Sequence, residues 1–80
     1  MVINTKSHKL KIIRIKKGLS GNELAKRAKL STATVFFVEN ARIHPSPKTA
    51  AKICKVLDVP FDNIFEIQPD TPKENDKKEV

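Results

Sequence analysis

A chain of 80 residues is long enough for one small domain, and at this length roughly 60% of the unfolded surface is buried on folding, so the core is modest. Its single cysteine, Cys54, and the lack of any Cys/His cluster at zinc spacing exclude an internal disulfide and a structural metal, and fit a reducing, cytoplasmic setting. The net charge of +7 conceals an asymmetry: residues 1–55 carry 13 Lys/Arg against Glu23 and Glu39 (13 − 2 = +11), whereas residues 56–80 carry 3 Lys against 7 Asp/Glu (3 − 7 = −4).

Residues 1–8 form an N-terminal arm that is too short and too polar for a signal peptide or membrane anchor, and no long apolar run follows. Its Met1-Val2-Ile3 run is a candidate short strand against Phe65-Glu66-Ile67. Helix one is predicted from Lys9 to Lys17, capped by Ser7, with Leu10, Ile13 and the Lys17 stem on one face and Gly18 as the left-handed residue that closes it. Ser20 followed by Glu23 is a capping box, and Leu19 and Leu24 flank it as a hydrophobic staple, so helix two starts there. Ser31 caps helix three, with Leu30 and Val35 at the staple positions, and the helix runs to about Asn40. Only Lys29, Leu30 and Ser31 lie between these two helices, and Leu24, Ala28, Leu30, Val35 and Val38 are the apolar positions that let them pack. Two short helices joined by so tight a turn make a helix-turn-helix pattern.

Ser46 and Pro47 start helix four, as cap and first helical residue, with Ala50, Ile53, Cys54 and Leu57 on its apolar face and Asp58 at its end. Residues 60–65 are expected to add one more turn that drops Phe61, Ile64 and Phe65 onto the core. The predicted architecture is therefore all-α, a compact five-helix domain over residues 9–68. Residues 69–80, with no apolar side chain before Val80, are expected to form a disordered polar tail.

The basic part of the chain suits a polyanion, nucleic acid or an anionic membrane surface, against the plain alternative of a solvated surface. The stretch Leu10 to Phe65, about 56 of the 80 residues, resembles the phage Cro and repressor (XRE) family of lambda-repressor-like helix-turn-helix proteins. The resemblance is carried by Gly18-Leu19-Ser20, Glu23-Leu24-Ala25, Leu30-Ser31, Val35, Val38-Glu39-Asn40, Pro45-Ser46 and Leu57-Asp58-Val59 leading to Ile64-Phe65. It implies a dimeric DNA-binding transcriptional regulator, usually with its third helix in the major groove, and no enzymatic activity. By the same resemblance, phosphate contacts fall on Ser20, Gly21, Asn40 and Arg42, and Arg14 and Glu39 form a structural ion pair. Lys29 and Lys48, with Lys26 and Arg27, add general attraction for the phosphate backbone.

The small residues opening helix three suit close approach to a groove. With Val35 and Val38 turned inward, helical geometry leaves Thr32, Ala33, Phe36 and Phe37 outward as base-reading candidates. Two positions depart from the family pattern: Gly21 stands where a base-reaching Gln is common, and Lys29 stands where a left-handed Gly is common, at a cost of about 1 kcal/mol. For Phe36 and Phe37 three roles are open: contact with a thymine methyl, core packing, or a protein interface. Ile12 and Ile15, partly outside the inward face of helix one, raise the same question and favour core or dimer contacts. Phe61 and Ile64 are the expected dimer anchors.

His8 and His44 have no catalytic partner in recognisable spacing, Cys54 fits core packing, and no cofactor, metal or small-molecule site is evident. The sequence thus points to a homodimeric regulator, by default a repressor, on a palindromic operator in double-stranded DNA. The alternative is a protein-interaction module or antitoxin-like partner on the same fold.

Overall fold

The computed structural model describes residues 1–69. In chain order it contains strand β1 (Val2–Thr5), helices α1 (Lys9–Lys16), α2 (Gly21–Ala28), α3 (Thr32–Glu39) and α4 (Pro47–Leu57), a single 3₁₀ turn (Phe61–Asn63), and strand β2 (Phe65–Gln68). The domain therefore has four helices and a small sheet in place of the five helices and all-α class expected. The fifth helix is reduced to that one turn because the chain becomes extended at Phe65 to pair with the arm. The expected polar tail falls, beyond Pro69, outside the described residues.

Three of the four helices start as the sequence predicts. Ser20 Oγ accepts from Glu23 N at 3.1 Å while Glu23 Oε1 accepts from Ser20 N at 3.0 Å, a complete capping box. Ser31 Oγ accepts from Thr34 N at 3.0 Å and Ser46 Oγ from Thr49 N at 3.2 Å, and each satisfies one of the amides a helix start leaves unpaired. Helix α1 is the exception. Its cap is His8, in the left-handed region at φ 59° and with no side-chain hydrogen bond, so Ser7 does not cap it.

All four helices end alike. After α1, Gly18 N donates to Ile15 O and Leu19 N to Arg14 O, with Gly18 at φ 75°, the paired bonds of a Schellman motif. Lys29, Ala41 and Asp58 close α2, α3 and α4 with the same pair of bonds at φ 59°, 56° and 55°. The turn between α2 and α3 thus keeps its left-handed geometry although Lys29 carries a Cβ, which opposes that conformation by about 1–2 kcal/mol. Pairing the final carbonyls and burying the next apolar residue offset that cost. Leu19, Leu30 and Val59 each follow the left-handed residue and pack against the core.

Helix α2 is the centre of the packing, lying against both α3 and α4. Leu10, Leu24, Val38, Ala50, Ile53, Leu57, Ile64 and Phe65 are wholly inaccessible, and burial of each large side chain contributes about 1.5–3 kcal/mol before entropy is counted. Ile13 is half-buried against this cluster, whereas the Lys17 stem, expected on the same face, is exposed. The strands pair antiparallel, Val2 with Gln68, Ile3 with Ile67, Asn4 with Glu66 and Thr5 with Phe65. Residues opposite one another share a face. Ile3, Thr5 and Phe65 cover the end of the core, and Ile67 on the same face overhangs it and stays 55% exposed.

Candidate nucleic-acid interface

The tight turn brings the first turn of α2 beside the first turn of α3. Ser20, Gly21, Asn22, Thr32 and Phe36 line one shallow depression of about 270 Å³, whose floor includes Val35 and the Arg14–Glu39 pair. At its α2 side the capping box occupies the Ser20 and Glu23 amides and leaves Gly21 and Asn22 at the open end of the helix, where N–H groups and dipole favour an anion. The Glu23 carboxylate sits at the same end. Its hydrogen bonds from the Ser20 backbone and side chain, with Arg27 and Lys26 nearby, hold its pKa below 4.5, so it is charged at neutral pH and fully solvated.

Thr32, Ala33, Phe36 and Phe37 are all exposed along one side of α3. The two phenyl rings meet edge to face, with centroids 5.8 Å apart and planes at 66°. Phe36 is 54% and Phe37 40% exposed, so neither is core, and of the three roles only contact with DNA or with a protein remains. Ile12 and Ile15 are likewise exposed, so of the core or dimer contacts expected for them the core alternative falls away. Asn40 and Arg42 lie exposed at the far end of α3, where Asn40 Nδ2 donates to Phe36 O at 2.8 Å and so ties the side chain to the helix end. Lys29 and Lys48 are exposed at the turn after α2 and the start of α4.

The ion pair fixes this surface from below. Arg14 Nε donates to Glu39 Oε2 at 2.7 Å and Nη2 to Oε1 at 3.1 Å, with both side chains 12% exposed. Arg14 Nη1 also donates to Leu19 O at 2.9 Å, so a single guanidinium joins α1, the turn before α2 and the end of α3. A planar fork matching a carboxylate is a geometry that Lys could not supply.

One residue that sequence reasoning missed is Asn22. Its Oδ1 accepts from Thr32 Oγ1 at 3.0 Å, the hydrogen bond that links the exposed starts of α2 and α3. No local pattern in the sequence marks it, because the contact is set by the angle at which α3 crosses α2.

The other singled-out residues lie elsewhere. His44 Nδ1 is 3.3 Å from Ile3 O and ties the loop before α4 to β1. Cys54 is buried, and burial pushes its thiol pKa up, away from the reactive thiolate. Among the described residues no group of three or more His, Cys, Asp or Glu could hold a metal, and no helix is long and apolar enough to cross a membrane. Ile64, expected as a dimer anchor, is fully buried within the domain and presents no surface to a second copy. The outward apolar surface near it belongs to Phe61, Ile67 and Met1, which line an open cleft of about 730 Å³ with Pro45 and Ala51.

Two short helices at a tight turn, the second offering Thr32, Ala33, Phe36 and Phe37 to solvent, define a helix-turn-helix nucleic-acid-binding domain. The chain belongs to the helix-turn-helix family (HTH_3) of the Cro/repressor type, whose pattern matches residues 10–64; the family is one of DNA-binding transcriptional regulators and not of enzymes. It is 35% identical over 57 residues to an HTH-type transcriptional regulator of Archaeoglobus fulgidus, covering 71% of this chain and 80% of that protein. It is also 35% identical over 63 residues to one of Methanocaldococcus jannaschii, covering 79% and 96%. Among solved structures, the restriction-modification controller protein C.AhdI of Aeromonas hydrophila superimposes with a TM-score of 0.67 at 28% identity, over 71% of this chain and 86% of that one. The transcriptional regulator VanUg shares the fold at 21% identity, with a TM-score of 0.66 over 88% and 92% of the two chains.

Proposed function

We propose that the protein is a cytoplasmic, sequence-specific repressor that binds a palindromic operator as a homodimer and blocks transcription by occupying it. The observation that carries this is the solvent-facing side of α3, with Thr32, Ala33, Phe36 and Phe37 exposed and its first turn beside the open N-terminus of α2. In this mechanism α3 enters the major groove, where Thr32 and Ala33 contact base edges and a phenyl ring of Phe36 or Phe37 meets a thymine methyl. Ser20 and Gly21 on one side, and Asn40 and Arg42 on the other, hold the flanking phosphates, with Lys29 and Lys48 adding charge attraction. Repeating this on the two-fold-related half-site, about 34 Å along the duplex, places both helices on one face of the DNA.

The dimer forms through the segment around the 3₁₀ turn. Phe61 supplies the apolar contact, and Ile64 supports it from within the core. The cleft beside Phe61 supplies area for a second copy, and Phe61→Glu should shift the sedimentation of the protein toward monomer.

Selection from a pool of random DNA duplexes, at low and moderate salt, tests the function. Enrichment of a palindrome bound about 10³-fold above the pool is the expected result. Weak, steeply salt-dependent binding with no enriched sequence would overturn it. That outcome would favour a protein-interaction module presenting Phe36, Phe37, Ile12 and Ile15, all of which are exposed.

A further inference from the structure

We infer that Asn22 and Thr32 act as one composite reader that selects adenine over guanine at a single operator base pair, Asn22 being a specificity-determining residue in its own right. The inference rests on the DNA-binding mode proposed above. Of the hydroxyls opening α3, Ser31 Oγ and Thr34 Oγ1 serve the cap, 2.7 Å from each other, and Thr32 Oγ1 donates to Asn22 Oδ1 at 3.0 Å. Both side chains are exposed and line the same depression, in which the neighbouring Gly21 has no side chain to contribute.

The chemistry of the pair differs from that of its parts. A lone threonine hydroxyl turns freely and can donate or accept, so by itself it distinguishes purines poorly. With its proton given to Asn22, Thr32 Oγ1 offers only lone pairs to an incoming base. Asn22, its Oδ1 engaged, keeps two donors on Nδ2. The exposed combination is a donor beside an acceptor. In the major groove adenine presents the complementary order, N7 accepting and the N6 amino group donating, whereas guanine presents two acceptors, N7 and O6. Guanine would set O6 against the lone pairs of Thr32. The bond between the two side chains also removes rotamer freedom before DNA arrives, which lowers the cost of ordering them on binding.

The test is selection from random duplexes by the full chain and by Asn22→Ala, Thr32→Val and the double variant, each checked for an unchanged melting temperature and helical circular dichroism. Thr32→Val keeps the shape of the side chain and removes the hydroxyl. Wild type should prefer adenine to guanine about tenfold or more at one position of each half-site. Asn22→Ala and Thr32→Val should each abolish that preference at the same position, the double variant should lose nothing further, and the salt slope should not change. An enriched wild-type operator whose adenine preference survives Asn22→Ala overturns the composite reader and leaves the repressor assignment standing. Failure of wild type to enrich any sequence overturns the repressor assignment, and the composite reader with it.

Discussion

Glu39→Gln tests whether the Arg14–Glu39 pair holds the reading helix in place. The substitution preserves shape but removes the carboxylate charge, leaving the Arg14 side chain, only 12% exposed, with its guanidinium facing an amide. It also sets the glutamine NH₂ against a group that can only donate. For a buried ion pair such a loss costs about 3 kcal/mol, against under about 1 kcal/mol for an exposed pair. Arg14→Ala removes in addition the bond to Leu19 O, so it should exceed Glu39→Gln by about 1 kcal/mol. In a domain of this size each kcal/mol lowers the melting temperature by about 4–8 °C, so Glu39→Gln should fall by about 12–24 °C. Urea unfolding of both single variants and the double variant closes the cycle, and a coupling of about 2 kcal/mol or more is expected because each single change strands the same partner. A coupling below about 0.5 kcal/mol, with 1 M salt making no difference to the single variants, would refute the reasoning. The two hydrogen bonds would then be geometry without energetic consequence.

Other substitutions address separate elements. Lys29→Gly relieves a left-handed backbone at φ 59° and should raise stability by about 0.5–1 kcal/mol in urea titration, with DNA affinity lowered slightly through the lost charge. Glu23 has a folded pKa below its unfolded 4.5, so the stability it contributes is present above pH 4.5 and is lost as pH falls through the folded value. Urea midpoints of wild type and Glu23→Gln should therefore differ at pH 7 and converge toward pH 3. Ile53→Ala empties a site with no solvent access and should cost about 2–5 kcal/mol by chemical denaturation, enough to unfold much of so small a domain. Arg42→Ala should weaken binding to every duplex alike and flatten the plot of log affinity against log salt by about one unit, measured by fluorescence anisotropy.

What the sequence discloses about this domain follows from how local the deciding interactions are. Ser20, Ser31 and Ser46 announce helix starts because a serine cap bonds to an amide three positions on, within one window of sequence. Gly18 marks the end of α1 because a left-handed residue is most readily glycine. Lys29, Ala41 and Asp58 take the same backbone without that label, since the conformation is imposed there by paired carbonyls and, after Lys29 and Asp58, by the apolar residue that must turn inward. The strands are legible only as a candidate pairing of the Met1-Val2-Ile3 run with Phe65-Glu66-Ile67, which the structure forms with shifted bounds, and the reason is the opposite one. Four residues such as Val2–Thr5 are too few to show a period, and what makes them a strand is a partner at the other end of the domain. At the candidate interface, the outward set on α3 could be read from the inward Val35 and Val38. The bond from Thr32 to Asn22 could not, because it depends on the angle between two helices.

The sheet also bears on how the protein is made. Asn4 Nδ2 bonds to Gln68 Oε1 across 64 positions of sequence, so β1 leaves the ribosome long before its partner exists. All four helices can be synthesised, and α2 can find α3 and α4, while the arm waits with Ile3 uncovered. Joining ends this far apart costs loop entropy that the nearby helix contacts do not incur, which makes strand pairing a late event. Until it occurs, the core facing Phe65 is open to water and to other nascent chains. Anything that occupies the arm in that interval, a fused peptide or a neighbouring copy's β2, competes directly with completion of the fold.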